Sequence, residues 1–434
     1  FKYLFERGLG SVMVAHLYVP NIDSTKNQAS TLSKKFVTDM LKTELGFEGL
    51  VFTDALNMKG VSKFYKPGEV DLKAFIAGND VMLFAEDVPL AIQKISQAVK
   101  DSVITEEEID KRCRKILLAK EWAGLNKTKL VKKEGLYADV KTKTGEAINY
   151  QLAEAALTVV KNDSILPLAN VNQKIAYLNI GGGSGNSFYR SMKKYANVTQ
   201  IKMSKTSKTS TQNAMIEKLK NYDAVVVGMH KPSRSPKSNF GMSYSSIEFI
   251  KRLGESMPTV TVMFANPYGA KGFDDLNSVK GFVVAYEDTK YTRDRAGQFI
   301  FGATPGTGKL PVTMNEHFKA GHGIDVKKKI RLKYVTPTEV GINESDLQKI
   351  DDIALEGIKE KAYPGCQIIA AKDGHVFYNK SFGHLTYAKN HSVTDSTIYD
   401  IASITKVLGT MQAVMFLSER GLIDVNKKAS KYLP

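Results

Sequence analysis

Cysteine is nearly absent from this sequence, which has only two cysteines in 434 residues. A disulfide framework therefore cannot be the basis of the fold, and neither Cys113 nor Cys366 has the neighbours of a metal-ligand motif. Cys113 falls in a helical pattern and Cys366 in a strand pattern. We expect both to be buried as small hydrophobic residues.

Long hydrophobic runs are also missing, and no stretch approaches the ~20 consecutive apolar residues of a membrane span. The chain begins at Phe1 without an initiator Met or a signal-peptide pattern, and it ends abruptly at Pro434. We expect a fragment of a longer protein, whose export signal could lie elsewhere. The 43% hydrophobic and 24% charged composition is ordinary for a soluble protein of two or three domains.

Acidic residues are outnumbered, 45 to 61, which gives a net charge of +16. Such a charge suits an anionic partner such as nucleic acid, a membrane face or an acidic cell-wall polymer. The lysines are nevertheless spread along the chain, with concentrations at 127–133 and 327–329 and no basic-aromatic motif. We therefore predict no nucleic-acid partner.

The first 125 residues alternate apolar strand patterns with amphipathic helix patterns. Strands are predicted at 12–16, 49–53 and 81–85, and a helix at 32–45. Ser30 is the expected N-cap of that helix and Gly46 its stop, while later helices start at Asp87 and Thr105. The pattern fits part of a (β/α)₈ barrel, since a whole barrel needs ~250 residues.

Two further regions follow, separated by basic segments without periodicity at 126–145 and 319–335, which we interpret as linkers. Residues 147–316 contain the strand patterns 174–180, 224–228, 260–265 and 281–286 with helices between them, which indicates a mostly parallel, helix-covered sheet. From 336 onward, a helix at 345–361 precedes two strands joined by a Lys372-Asp373-Gly374 turn, a hairpin signal. Ser403 then opens an apolar helix.

Asp54 is the first candidate catalytic residue, because it directly follows the strand at 49–53. Barrel enzymes place catalytic groups at the carboxyl ends of their strands. A carboxylate there can attack an anomeric carbon and form a covalent glycosyl intermediate. The alternative is an Asp that caps the following segment, and spacing alone does not decide between the two.

Three segments carry a resemblance to glycoside hydrolase family 3: VMVAHLYVP (12–20), ASTLS (29–33) and ELGFEGLVFTD (44–54). The form TDALNM (53–58) resembles the β-N-acetylglucosaminidase branch, and AGND (77–80) also fits the family. The resemblance implies that Asp54 is the nucleophile and that a His–Asp pair on an upstream loop protonates the leaving group. That loop would precede Phe1. The motifs NDSILPL (162–168) and GKLPVT (308–313) resemble the α/β-sandwich domain that often follows the family's barrel.

His16 ends the strand that precedes the nucleophile strand. We predict that it lies near the sugar as a substrate-binding residue, with a structural hydrogen bond as the alternative. Two glycine-containing segments do not indicate a nucleotide. The segment 302–309 departs from the P-loop spacing, and 181–185 lacks the dinucleotide fingerprint and is interpreted as a turn. No cofactor or metal is therefore predicted.

Ser403 and Lys406 form an S-x-x-K pair at a helix start, where the lysine lies one turn from the serine hydroxyl. Such a lysine can help to deprotonate the serine for acyl transfer. The surrounding PG (364–365), DG (373–374), IA (401–402) and GLID (421–424) resemble the N-terminal part of serine β-lactamases and penicillin-binding esterases. The resemblance implies Ser403 as nucleophile and Lys406 as its base partner, with later elements of the site beyond Pro434.

The expected fold class is therefore α/β: the C-terminal part of a (β/α)₈ barrel (1–125), an α/β sandwich (147–316) and the start of an α+β serine β-lactamase-like domain (336–434). The expected function is a retaining exo-β-N-acetylglucosaminidase acting on peptidoglycan fragments, fused to a serine acyl hydrolase. A carbohydrate is the expected partner, and a periplasmic or cell-envelope location is favoured. The alternatives are a β-glucosidase-type exo-glycosidase and a catalytically silent wall-binding protein.

Overall fold

The computed structural model describes residues 1–127, 130 and 132–433, and divides into two compact units, Phe1–Glu134 and Gly135–Pro434. Thr128, Lys129 and Val131 of the first expected linker, and Pro434 of the third expected domain, lie outside the described residues. Within the described ranges, no helix is both long and apolar enough to cross a membrane.

The first unit is built on two parallel strands, β1 (Ser11–Val14) and β2 (Leu50–Thr53), which confirms two predicted strands. The third predicted strand, 81–85, is wrong as a strand, because it makes a single bridge between Phe52 and Val81. The ladder stops there because the Leu83 amide donates to the Thr53 side chain instead, and Phe84 has a left-handed φ of 54°.

The helix predicted at 32–45 is divided into a 3₁₀ turn, Ser30–Leu32, and a π-helix, Lys35–Glu44. Ser30 is not an N-cap as predicted. It lies inside the first turn, where its hydroxyl donates to the Ala15 carbonyl at 2.5 Å. The predicted stop is confirmed, since Gly46 has a φ of 67° directly after the helix.

The α-helices of this unit include the two predicted capped starts. Asp87 accepts the amide of Leu90, and Thr105 accepts the amide of Glu108. The α-helices are α1 (Lys2–Phe5), α2 (Lys59–Ser62), α3 (Glu69–Ala77), α4 (Val88–Lys100) and α5 (Glu106–Trp122).

Cys113 on α5 is exposed, so the prediction that it is buried was wrong. The neighbouring Arg112 takes the buried position, because its guanidinium donates to the carbonyls of Phe75 and Asn79. Successive helical residues point about 100° apart, so Cys113 is turned toward solvent. Cys366 is half-buried rather than fully buried.

The second unit is centred on a six-stranded sheet with strand order β3-β8-β7-β6-β4-β5, in which only β3 is antiparallel to its neighbour. The strands are β3 (Thr158–Asn162), β4 (Ile175–Ile180), β5 (Val198–Met203), β6 (Ala224–Met229), β7 (Thr259–Met263) and β8 (Gly281–Val284). The helices are α6 (Leu136–Val140), α7 (Lys143–Ala156), α8 (Ser187–Lys193), α9 (Thr209–Leu219), α10 (Tyr244–Ser256) and α11 (Lys290–Ile300). Four strands were predicted. β3 and β5 were missed; β5 is an edge strand in which Thr199 and Lys202 are exposed.

The remaining elements begin with β9 (Lys333–Tyr334), which lies within the segment interpreted as a linker and pairs in parallel with the later hairpin. They continue with α12 (Glu344–Lys359), β10 (Gly365–Lys372), β11 (His375–Gly383), a π-helical turn at Lys406–Met411 and α13 (Gln412–Glu419). The predicted hairpin is confirmed, and Asp373 and Gly374 both have positive φ, as a type I′ turn requires.

Candidate active sites

Asp54 directly follows β2, at the carboxyl end of the parallel pair. Its amide donates to the Val14 carbonyl at 3.0 Å, which continues the ladder by one residue. One carboxylate oxygen, Oδ1, accepts the Ala55 amide at 2.8 Å. Within the described part of the chain, Oδ2 has no hydrogen-bond partner, so one oxygen is oriented while the other is available for chemistry.

His16 lies at the carboxyl end of β1 and contacts the residue after Asp54. Its Nε2 is 3.0 Å from the Ala55 carbonyl, and its Nδ1 is 2.8 Å from the Thr31 hydroxyl. A carbonyl oxygen only accepts, so Nε2 carries the proton in the neutral ring. The structural hydrogen bond weighed for His16 is thus present, and its contact with substrate stays a prediction.

A cavity of about 440 Å³ opens beside His16 and is lined in part by Tyr18, Phe64 and Gly60. Both aromatic side chains are exposed, at 56% for Tyr18 and 44% for Phe64. Aromatic faces with a few polar groups are the usual lining of small-molecule sites. Asp54 does not line this cavity; His16 lines it and is hydrogen-bonded to Ala55, the residue after Asp54.

A buried ion cluster centred on Asp80 is hydrogen-bonded to β2. Asp80 receives hydrogen bonds from Lys42 at 2.9 Å, Lys115 at 2.8 Å and the Val51 amide at 2.8 Å. Burial opposes ionisation, but the two lysines and the amide outweigh it and hold the pKa of Asp80 below its usual value. The cluster fixes β2, the strand that Asp54 directly follows.

A second set of buried hydrogen bonds, made by Asn79 and Arg112, holds the turn that contains Thr31, whose hydroxyl contacts His16. The Asn79 side chain donates to the Thr31 carbonyl at 2.8 Å, and Arg112 in turn donates to the Asn79 carbonyl at 2.8 Å. The sequence motif at 77–80 drew attention to Asn79 and Asp80 only as a family feature. Their positioning role was missed because nothing local in the sequence shows that Lys42, Arg112 and Lys115 converge on them.

The sheet of the second unit carries a buried polar group that the sequence did not reveal. His230 is fully buried at the end of β6, with Nε2 2.6 Å from the Tyr177 hydroxyl and Nδ1 2.9 Å from Asp288. Burial raises the pKa of Tyr177. Burial also opposes ionisation of Asp288, but the hydrogen bonds from His230 and the Lys231 amide, together with the nearby Arg293, outweigh it and lower the pKa. Gly182 is required beside this group, since a Cβ would lie 2.4 Å from the Asn179 oxygen.

The glycine segments dismissed as nucleotide sites have structural partners. The stretch 181–185 is a turn, as interpreted. Lys309, at the end of the P-loop-like segment, pairs with Asp325 at 2.7 Å. It also donates to the Gly323 carbonyl at 2.6 Å. Its ammonium is therefore engaged by the protein itself.

Ser403 and Lys406 are brought together as their spacing predicts. Lys406 Nζ lies 2.8 Å from Ser403 Oγ, and both side chains are exposed in the described chain. Ala402, the residue before the serine, has a left-handed φ of 42°, so the chain turns sharply just before the helix begins. The geometry suits proton transfer between the two groups, whose catalytic roles stay predictions.

Three family models match the chain along its length. The glycosyl hydrolase family 3 N terminal domain matches residues 1–119, and the glycosyl hydrolase family 3 C-terminal domain matches residues 157–356. The β-lactamase family matches residues 350–434.

Curated relatives match parts of the chain. β-Hexosaminidase A of Pseudoalteromonas piscicida is 23% identical over 358 residues, which cover 70% of this chain and 58% of that protein. A β-N-acetylglucosaminidase/β-glucosidase of Cellulomonas fimi is 23% identical over 177 residues, 39% of this chain and 31% of that protein. A putative D-alanyl-D-alanine carboxypeptidase of Salmonella enteritidis is 33% identical over 113 residues, 24% of this chain and 25% of that protein. The chain thus spans less than two thirds of each of these relatives.

Solved structures share the fold. A family 3 β-N-acetylglucosaminidase from a Paenibacillus species superposes with a TM-score of 0.58 at 22% identity, covering 74% of this chain and 60% of that one. A β-glucosidase from Listeria innocua, in complex with isofagomine, gives a TM-score of 0.59 at 18% identity, covering 72% and 46%. The two family 3 models together match residues 1–119 and 157–356, so the chain belongs to glycoside hydrolase family 3, and residues 350–434 match the β-lactamase family.

Proposed function

We propose that Asp54 is the nucleophile of a retaining exo-β-N-acetylglucosaminidase that removes terminal β-N-acetylglucosamine from peptidoglycan fragments. The observation that carries the proposal is the placement of the Asp54 carboxylate at the carboxyl end of β2, with Oδ1 oriented by the Ala55 amide. Members of the family whose names include β-hexosaminidase and β-N-acetylglucosaminidase support the choice of sugar.

In the proposed reaction, Asp54 Oδ2 attacks the anomeric carbon while the bond from that carbon to the leaving oxygen breaks. The leaving oxygen takes a proton from the general acid, a role that the family resemblance assigns to a His–Asp pair on an upstream loop. Water then attacks the glycosyl ester and gives its proton back to that pair, which releases the sugar and returns the Asp54 carboxylate. His16 holds Ala55, so the direction of the Asp54 carboxylate depends on the hydrogen bond from Nε2. The cavity with Tyr18 and Phe64 offers apolar surface to a sugar ring.

The test uses an activated 5-fluoro-N-acetylglucosaminyl fluoride, whose fluoride leaves without protonation and so depends on the nucleophile alone. We expect a stable glycosyl adduct on Asp54, found by mass spectrometry of the intact chain and its peptides. The Asp54→Asn variant should give none, and Asp39→Asn, an exposed carboxylate in the same unit, should label normally. A chain that never forms an adduct would support a silent binding protein.

A matched 5-fluoroglucosyl fluoride separates the second candidate. The Listeria β-glucosidase shares the fold, and the Cellulomonas relative is named for both activities. Faster labelling of Asp54 by the glucosyl than by the N-acetylglucosaminyl reagent would overturn the sugar assignment while keeping the nucleophile.

The 2.8 Å contact between Lys406 and Ser403 supports a second proposed activity, serine acyl transfer on a peptide, ester or β-lactam. In its neutral form the lysine accepts the hydroxyl proton as Oγ attacks the acyl carbon. The bond from that carbon to the leaving nitrogen or oxygen then breaks, the leaving atom takes up a proton, and water hydrolyses the acyl-serine ester. A fluorescent penicillin should acylate Ser403, with no labelling of Ser403→Ala and at least a tenfold loss of rate in Lys406→Met, in line with removal of a general base. Equal labelling of Ser418→Ala controls for the substitution itself, and labelling that survives in Ser403→Ala would refute the assignment.

A further inference from the structure

The carboxyl edge of the six-stranded sheet contains a change of direction in the chain path. The chain leaves β4 toward β5 on one side and then returns to β6 on the other side of β4. The loops that follow β4 and β6 therefore diverge. In open α/β sheets, ligands bind in the crevice at such a switch point, outside the carboxyl ends of the strands.

The loop that follows β6 is positively charged. It is defined here as the basic loop, residues 231–241, and it exposes Lys231, Arg234 and Lys237. No Asp or Glu occurs between residues 224 and 247. Across the described chain, none of these three cations forms an ion pair. The loop thus offers three uncompensated positive charges at the edge where a ligand is expected.

The protein holds the basic loop in a fixed shape. Lys205 Nζ donates to the carbonyls of Lys231 and Gly241, at 2.6 Å each, and so ties the two ends of the loop together. Asp288 accepts the Lys231 amide at 2.9 Å while it also binds the buried His230. The charges are therefore presented from an ordered base.

Backbone strain within the loop points to a specific shape. Asn239 and Phe240 have left-handed φ values of 46° and 52°, which are unfavourable for residues other than glycine. Such conformations persist where the surrounding structure determines them, and they concentrate at functional sites. Phe240 lies 6.0 Å from the ring of Tyr268, which is 44% exposed, so an aromatic surface adjoins the charges.

We propose that the basic loop binds the carboxylate groups of an acidic glycan. Three separate single charges fit a polymer that repeats one negative group per sugar, and the neighbouring Tyr268 face fits a pyranose ring. The choice of a glycan over a nucleic acid rests on the proposed glycosidase function. The binding step itself involves neither Asp54 nor Ser403.

The test measures binding of the full chain to polygalacturonate by calorimetry, at two salt concentrations, with neutral dextran as reference. We expect binding that weakens with salt and falls roughly tenfold or more in the triple variant Lys231→Gln, Arg234→Gln, Lys237→Gln, since each substitution removes an uncompensated cation. The matched control neutralises the exposed run Lys327, Lys328 and Lys329. It makes the same charge change and should lose less than about twofold.

An equal loss in both triple variants would show that net charge alone is responsible and would overturn the proposal. Tighter binding of polyphosphate or of a single-stranded oligonucleotide, with the same dependence on the basic loop, would overturn the carboxylate glycan. Near-ultraviolet circular dichroism of each variant confirms that it is folded. Asp54→Asn should bind polygalacturonate as the wild type does, so failure of the glycosidase assignment and failure of this site give different results.

Discussion

At the scale of single residues, the buried Asp80 carboxylate stabilises β2, the strand that leads directly to the candidate nucleophile Asp54. Its side chain is 1% exposed, and those of Lys42 and Lys115 are 24% and 27% exposed. Asp80 also binds the Val51 amide in the middle of β2. Removal of the anion would leave two partly buried cations and one strand amide without their partner.

We therefore predict that Asp80→Asn destabilises the first unit by about 3–5 kcal/mol, the usual cost of breaking a buried ion pair from one side. Amide hydrogen exchange of β1, β2 and α5 at rising urea concentration measures the change. Asp110→Asn, an exposed position on the same helix, should stay within about 0.5 kcal/mol of the wild type. A loss below 1 kcal/mol in Asp80→Asn would mean that the cluster does not support β2.

The pH dependence of the same cluster has a definite sign. The pKa of Asp80 is lower in the folded state than its ordinary value of 3.8. Its contribution is therefore complete above that value and is lost as the pH falls through the folded pKa. We expect the acid limb of the wild-type stability curve, below about pH 4, to be shallower in Asp80→Asn. A curve of unchanged slope would contradict the assigned pKa shift.

At the scale of elements, patterns contained within a short segment were predictable. The hairpin of β10 and β11 was found because Asp373-Gly374 specifies its own turn, and four buried strands were found as continuous apolar runs. Whether a segment with strand composition actually joins a sheet could not be predicted from its own residues. The run 81–85 has strand composition, yet its ladder is interrupted where the Leu83 amide donates to the Thr53 side chain.

The candidate sites divide in the same way. Asp54 and the Ser403–Lys406 pair were singled out because short sequence motifs and a family resemblance mark them, and their catalytic roles stay predictions. Asp80, His230 and the basic loop could not, because their partners lie 26 or more residues away in sequence; the shortest such contact joins Lys205 to Lys231. Contacts of this kind arise from tertiary packing and produce no periodic pattern in the neighbouring sequence.

At the scale of the whole molecule, the second unit joins its sheet to the later hairpin through a buried cluster on α11. Arg295 is 1% exposed and pairs with Glu339, whose side chain is 4% exposed, as well as with Glu154. It also donates to the carbonyl of Tyr334 on β9, at 2.9 Å. Because β9 pairs with β11, the cluster links the sheet to the segment that precedes Ser403.

This link predicts that the hairpin loses protection when Arg295 is removed. Arg295→Met leaves Glu339 buried without a cation, and we expect it to cost about 3–5 kcal/mol. Amide hydrogen exchange should accelerate first in β9 and β11, and least in the central strand β6. The exposed arginine variant Arg114→Met makes the same change in charge and should leave all three strands unaffected.

The double variant Arg295→Met, Glu339→Leu separates the ion pair from the packing around it. It replaces both charges by apolar groups, and such replacements are often neutral or stabilising, so it should recover most of the lost stability. Recovery together with restored protection of β9 would show that the buried charges specify the junction without stabilising it. If the double variant is as unstable as Arg295→Met, the hydrogen bonds from Arg295 to the Tyr334 carbonyl and from the Thr336 amide to Glu339 hold β9 against α11, and the ion pair is secondary.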